Sequence, residues 1–405
     1  MKKISIGFNN LVNPEWTAGG NYLKNLFIAL RSLPDSEQPE IVLLNQKSSK
    51  SYDMLAPYVD RVLDPKLVRA AGFLHKKFDL IRKSLGVQKK AEHPYSLFLR
   101  QNRVDCLFLK GIIGPGFNVP VISWIADFQC LHLPEMFSPD EIKQRCSIYS
   151  RVTDYADSVV LSSKSAWQDL ERFDPTSMEK ARILSFVAHV PKDTYDSDPA
   201  WVCEHYHLPR HFFYLPNQFF KHKNHLAVLE ALTLIKAQYP QITVVCTGLT
   251  ADFRNPLFFE KFQEMVAERG LTNQFIHLGV VPQEHVYQLM RQAQAVLQPS
   301  LFEGWSTSIE EAKSLGKGMI VSNLPVHCEQ NPPGSIFFNP NKPEELAACL
   351  VKFFQEKAPG PDYELEAQAQ KELLPRTQKF GQIFMDIVKS AHSNGSQRGL
   401  FRRLY

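Results

Sequence analysis

No stretch of this sequence approaches the run of about eighteen apolar residues that a membrane-crossing helix needs. Paired cysteines are missing too. The seven that occur, at positions 106, 130, 146, 203, 246, 328 and 349, form no Cys-x-x-Cys. This argues against a zinc site or a disulfide framework and fits a reducing compartment, so a cytoplasmic protein is expected. There is no repeat of short period and no nucleic-acid-binding motif. Net charge is small, +4. The opening residues Met1 to Asn10 look like a signal n-region, but their apolar run is too short, and a first β-strand is the better reading.

At 405 residues, with 44% hydrophobic and 22% charged residues, the chain suits an ordinary globular protein with two cores. Strand and helix patterns alternate, which predicts parallel α/β sheets. Strands are expected over 4–8, 41–44, 106–109, 121–125, 158–161, 212–215, 242–246, 275–278, 295–297, 319–322 and 336–338. Helices are expected over 22–33, 139–157, 225–237 and 310–315. The Pro- and Asp-rich stretch 191–199 reads as a linker between two doubly wound halves, and ligands sit beyond the carboxyl ends of such strands. Residues 1–195 and 205–374 are the two domains. They are followed by a helix over 375–390, with Phe380, Ile383, Phe384, Ile387 and Val388 on one face, and a basic tail over 391–405.

Charge is uneven. Lys66, Arg69, Lys76, Lys77, Arg82, Lys83, Lys89 and Lys90 face one acid, Asp79, with apolar residues interleaved. Residues 66–90 therefore read either as a basic amphipathic surface for an anionic membrane or as a helix covering the core with a solvated basic face.

The densest signal is Pro299-Ser-Leu-Phe-Glu-Gly-Trp-Ser-Thr-Ser-Ile-Glu-Glu-Ala312. A buried strand end meets a glycine loop and then a helix start, a combination that points free N–H groups and the positive helix end at one spot. Thr307 and Glu310 have capping-box spacing. Seven residues separate Glu303 from Glu311. Two acids beside an anion pocket suggest sugar hydroxyls as their partners.

This stretch resembles the Glu-x7-Glu motif of retaining, nucleotide-sugar-dependent glycosyltransferases of the GT-B fold, family 4 type, many of which serve bacterial polysaccharide synthesis. The resemblance spans nearly the whole chain and is strongest over 212–340. It implies two Rossmann-like domains facing across a cleft, with acceptor in the first and donor in the second. It implies transfer of a sugar from a nucleoside diphosphate to a hydroxyl acceptor, a glycan or lipid-linked oligosaccharide, with retention of configuration. No metal or other cofactor is implied; Asp196-Ser-Asp198 has metal-motif spacing but lies in the expected linker.

Carried over by position, Glu303 holds sugar hydroxyls, Glu311 the ribose and Lys223 the diphosphate. Backbone around Gly304, Trp305, Ser306 and Thr307 cradles phosphate. Lys221 assists, while Gln218 stands where the family has a cation. The strand ends at Gly248 and Val280 shape the nucleotide pocket. In the first half, Gly19 and Gly20 resemble the family's glycine loop. Ala126 takes the place of the family's usual His, and Asp127, Gln129 and His132 are expected to share its role. Two other readings stay open: a non-catalytic binder or scaffold of the same fold, and a sugar-nucleotide epimerase.

Overall fold

A computed structural model of the chain describes residues 3–9, 17–44, 53–65, 92–111, 114–252 and 254–404. The basic segment 66–90 lies outside the described residues. The chain divides into two compact units. One comprises Met1–Phe128, Pro139–Phe186 and Arg376–Tyr405; the other comprises Gln129–Ser138 and Val187–Pro375.

The first unit is built on seven strands: β1 (Ser5–Asn9), β2 (Glu40–Leu44), β3 (Arg61–Leu63), β4 (Cys106–Leu109), β5 (Val121–Ile125), β6 (Ser158–Leu161) and β7 (Ala181–Ile183). Their order is β3-β2-β1-β4-β5-β6-β7, and every pair is parallel. Ile6 stands opposite both Ile41 and Cys106. The inner strands are apolar on both faces, as a parallel sheet covered by helices requires. The two edge strands β3 and β7 were not legible in the sequence; they are three residues long and carry little apolar pattern.

The helix Thr17–Arg31 includes Gly19 and Gly20 in its first turn instead of starting at Tyr22. It packs Phe27 edge-on against Phe8, and Tyr22 stacks on Trp124 with centroids 4.0 Å apart. The last helix, Tyr363–Leu404, is longer than the expected 375–390 and takes in most of the expected tail. Pro375 lies inside it, where the first-unit portion begins. From there Phe384 joins Phe8 and Phe108 in an aromatic core. A Cβ on Gly381 would sit 2.6 Å from the Ala29 carbonyl oxygen, so glycine is what lets this helix lie against Thr17–Arg31.

The second unit has six parallel strands: β8 (Phe213–Leu215), β9 (Val244–Cys246), β10 (Phe275–His277), β11 (Val296–Gln298), β12 (Met319–Ser322) and β13 (Ile336–Phe338). Their order is β10-β9-β8-β11-β12-β13. The chain winds outward from β8 to β10 and then crosses to β11, so the switch point lies between β8 and β11. Two apolar layers cover the sheet, one around Phe262, Leu229 and Leu350, the other around Leu289, Ile309 and Tyr214.

The stretch read as a linker is bound into this unit. Arg291, fully buried, donates to the carbonyls of Thr194, Tyr195 and Ser197 and pairs with Glu366 through Nε (2.9 Å) and Nη2 (3.0 Å). The break between units falls at Phe186, not in the Pro-rich stretch, because this arginine fastens that stretch to the second unit. Among the described residues, no helix is long and apolar enough to cross a membrane.

Candidate functional site

At the carboxyl end of β8 the chain runs through Pro216–Phe220, makes a short turn over Lys221–Lys223 and enters the helix His225–Ile235. At the carboxyl end of β11 it runs through Pro299–Trp305 into the helix Thr307–Ser314. These two loops flank the switch point, where an open parallel sheet leaves a crevice for a ligand. Asn224 joins them. It holds a left-handed φ of 59°, and its side chain donates to the carbonyls of Pro299 (3.1 Å) and Pro340 (3.0 Å). The Leu301 N–H reaches the His222 carbonyl at 2.8 Å.

Glu303 stands at the centre. Its Oε1 accepts from Lys223 Nζ at 2.6 Å, Gln298 Nε2 at 2.9 Å and Ser300 Oγ at 2.8 Å. Gln298 is held in turn: its Oε1 accepts from Asn217 Nδ2 at 2.7 Å, and its Nε2 also reaches Ser306 Oγ at 2.8 Å. Both charged side chains are largely covered, Glu303 10% and Lys223 18% exposed. Burial raises the Glu303 carboxyl, but the ammonium of Lys223 together with the neighbouring His222 and His327 outweighs it, and the group sits below its ordinary value. The result is an ionised carboxylate with its charge matched and its position fixed.

Three histidines around the pair stay neutral. Burial, reinforced by Lys223, pushes His222 and His225 down to about 3. His327, which bonds Ser322 through Nδ1, is pushed by burial to about 4. Glu311 is the contrast. It is buried one helix turn inside, takes a single bond from Gln283 Nε2 (2.9 Å), and burial pushes it up to about 7. The two acids of the motif thus have opposite electrostatic surroundings, one matched by a cation and one not.

The helix start differs from the capping box expected at Thr307. Ser306 is the N-cap and accepts from the Ile309 N–H; Thr307 is already helical. Glu310 is buried and turned to Gln330 Nε2 (3.1 Å) and Lys313 Nζ (3.4 Å). Gln330 also takes the Ser306 N–H at 3.0 Å, so that amide is not available to cradle a phosphate. What remains for an anion at this end is the helix dipole and the N–H groups of Thr307 and Ser308, since Ser306 caps Ile309.

Gly248, after β9, is more than a turn glycine. Its φ is +140°, and a Cβ there would lie 2.6 Å from the Asn217 carbonyl oxygen. The β9 loop therefore runs directly against the β8 loop. Val280, past β10, is 69% exposed at the rim. Lys221 is exposed, while Gln218 is partly covered beside Gly248.

Gln129–Ser138 groups with the second unit. In it His132 lies over Phe302, ring centroids 5.0 Å apart, immediately before Glu303. Gln129 is buried in the same segment. Asp127, Gly19 and Gly20 belong to the first unit, where the Asp127 carbonyl accepts from Tyr149 Oη at 3.1 Å. The sequence reading missed Asn217, Gln298 and Ser300. The available signal was a polar residue at the carboxyl end of an otherwise apolar strand, twice, at the two strands flanking the switch point.

Two all-parallel Rossmann-like sheets, the second with a charged site at its switch point, define the GT-B class of fold. Residues 208–373 match the family model for glycosyl transferases group 1. Across the chain the fold is similar to that of HepE from Anabaena in complex with UDP and glucose, at 15% identity over 98% of this chain and 99% of that one, TM-score 0.62. It is similar to a glycosyltransferase from Rickettsia africae ESF-5, at 13% identity over 98% and 99%, TM-score 0.63. A third similar structure is sucrose-phosphate synthase from Thermosynechococcus elongatus, at 13% identity over 99% of each chain, TM-score 0.57. At these identities the likeness is one of fold. No curated protein matches the sequence.

Proposed function

We propose that this protein is a glycosyltransferase that moves a hexosyl group from a nucleoside diphosphate sugar to a hydroxyl acceptor, with retention of configuration and without a metal. The observation that carries the reading is the Glu303–Lys223 pair at the switch point of a unit matching group 1 glycosyl transferases. A carboxylate kept ionised accepts hydrogen bonds from sugar hydroxyls, and an ammonium beside it meets the charge that grows on the departing diphosphate. Glu311 is assigned to the ribose hydroxyls, and the Gly304–Thr307 turn, apart from the Ser306 N–H held by Gln330, to the phosphates. His132, which packs on Phe302, is assigned to the transferred sugar, and the part of the family's absent His is assigned to Asp127, Gln129 and His132.

In this scheme the departing phosphate oxygen takes the acceptor's proton, so no protein nucleophile is assigned. The acceptor is a glycan or lipid-linked oligosaccharide, consistent with an anionic-membrane role for 66–90 and a peripheral place on the inner face of the cytoplasmic membrane. HepE holds UDP in its structure, which makes UDP the first base to try.

The test is a thermal-shift screen with UDP, GDP, dTDP, ADP and CMP, with and without EDTA, followed by donor turnover. Selective stabilisation by one diphosphate, indifferent to chelator, and turnover lost in Glu303→Gln are expected. Stabilisation by none of them would overturn the reading.

A further inference from the structure

Glu303 and Lys223 stand beyond the carboxyl ends of the second sheet. At the amino ends, where Gln294 leads into β11 and Lys317 into β12, the second unit encloses a cavity of about 250 Å³. Pockets for drug-sized ligands span about 300–1,000 Å³, so this one suits a molecule of amino-acid size. Phe353 and Leu365 give it apolar walls.

Lys317 lines this cavity and is 4% exposed. Its Nζ donates to the carbonyls of Gly360 (2.8 Å) and Arg291 (3.1 Å), which leaves one N–H of the ammonium over. Both acceptors are neutral, and the buried carboxylate nearby, Glu366, is taken by Arg291. Burial pushes Lys317 down to about 7; Asp362 and Glu366 oppose that push, while Lys357 and Arg291 add to it. Asp362 lines the same cavity without touching Lys317. Its Oδ1 accepts from the Leu365 N–H at 3.2 Å and so caps the last helix. Gln294, 3% exposed, is a third polar group of the lining. Its Nε2 donates to the carbonyl of Lys357 at 2.7 Å, and its Oε1 has no donor.

A cation and a carboxylate thus share a small, partly apolar space without pairing, beside a buried amide oxygen that lacks a donor. Water leaves the ammonium's charge unmatched, which is costly in a covered place. A simple carboxylate matches Lys317 but meets Asp362 with like charge, and a simple amine has the reverse fault. A molecule with a carboxylate and an ammonium on one carbon satisfies both. We propose that this cavity binds a free α-amino acid with an apolar side chain, its carboxylate on Lys317, its ammonium on Asp362 and Gln294 Oε1, and its side chain against Phe353 and Leu365. The site shares no residue with the Glu303–Lys223 site, so the inference stands apart from the donor-site reading.

The experiment titrates the full chain with L-valine, L-leucine, L-methionine and L-proline by calorimetry and saturation-transfer NMR. Leucine is then compared with 4-methylpentanoate, which lacks the ammonium, and with 3-methylbutylamine, which lacks the carboxylate. Wild type should bind at least one of the amino acids and should prefer leucine to both analogues. Lys317→Met removes a buried charge and stays folded, and it should weaken the amino acid about tenfold or more. Asp362→Asn still caps the helix, and it should narrow the preference for leucine over 4-methylpentanoate about tenfold. Wild-type affinity should fall as pH rises from about 6 to about 8.5, because Lys317 is protonated below about 7 and must take up a proton to bind above it. No binding of any of the four up to about 10 mM would overturn the inference. So would binding that Lys317→Met leaves unchanged, or a preference that Asp362→Asn leaves unchanged.

Discussion

Removing both halves of the Lys223–Glu303 pair should cost clearly less than the two single removals added together. At 2.6 Å and an effective dielectric of about 20, two unit charges attract by about 6 kcal/mol. Most of that offsets the cost of taking both groups out of water, so the intact pair adds little net stability. A single truncation is different, because the survivor stays in place without its partner. Glu303→Ala leaves the Lys223 ammonium beside His222 with little water, and should destabilise the second unit by about 3 kcal/mol, the low end for a covered pair. Lys223→Met leaves Glu303 still held by Gln298 and Ser300, so about 2 kcal/mol is expected.

Glu303→Ala/Lys223→Met removes both charges and closes the cycle on the same two substitutions. Its cost should fall below the sum of the single changes by about 2 kcal/mol. The assay is denaturant unfolding of the three variants, read by peptide-resolved hydrogen exchange in β8, β11 and β12. A chain of two units need not unfold in one step, and the readout must belong to the second. Additive costs, within about 0.5 kcal/mol, would refute the pairing and with it the charge arrangement of the site.

Other consequences are checkable. His222, His225 and His327 bind protons far less readily in the fold than their ordinary 6.5, so the unfolded chain takes up protons first. Stability should therefore fall as pH drops from 6.5 toward about 4, and His327→Gln should flatten part of that slope in denaturant titrations. Glu311 has the opposite sign: its carboxyl is raised to about 7, so its penalty grows as pH rises from 4.5 through about 7. Glu311→Gln should gain about 1–3 kcal/mol at pH 8 and nothing at pH 4. Gly248→Ala should cost about 3 kcal/mol or more by strain and overlap with Asn217, seen as a lowered unfolding midpoint. Arg291→Ala should cost about 3–5 kcal/mol, because Glu366 is left buried and the 194–197 carbonyls lose their donor.

Much of the second unit was legible because its strands are short apolar runs ended by glycine or proline, and β12 and β13 fall where they were expected. The motif around Glu303 was legible for the same reason: strand, loop and helix start follow within a few residues. What escaped depends on partners distant in sequence. Thr307 and Glu310 have the spacing of a capping box, yet Gln330, from the helix Pro325–Gln330, claims both Glu310 and the Ser306 N–H. No local rule shows that. Arg291 likewise reads as one more basic residue on an amphipathic helix until Glu366 and the 194–197 carbonyls are seen around it. The charges on 66–90 were plain to read, but composition alone left two meanings open.

The final helix has a practical meaning for anyone who wants to exchange specificities. Because Arg376–Tyr405 completes the first unit, and Phe384 fills its core between Phe8 and Phe108, that unit is not an amino-terminal fragment. A chimera cut once, near Phe186, would graft a sheet whose own core aromatic stays behind on the donor of the other half. Productive hybrids need a second junction near Pro375, so that both pieces of the unit travel together. The excursion Gln129–Ser138 sets a third condition: it should be matched to the second unit it packs with, not to the strand that precedes it.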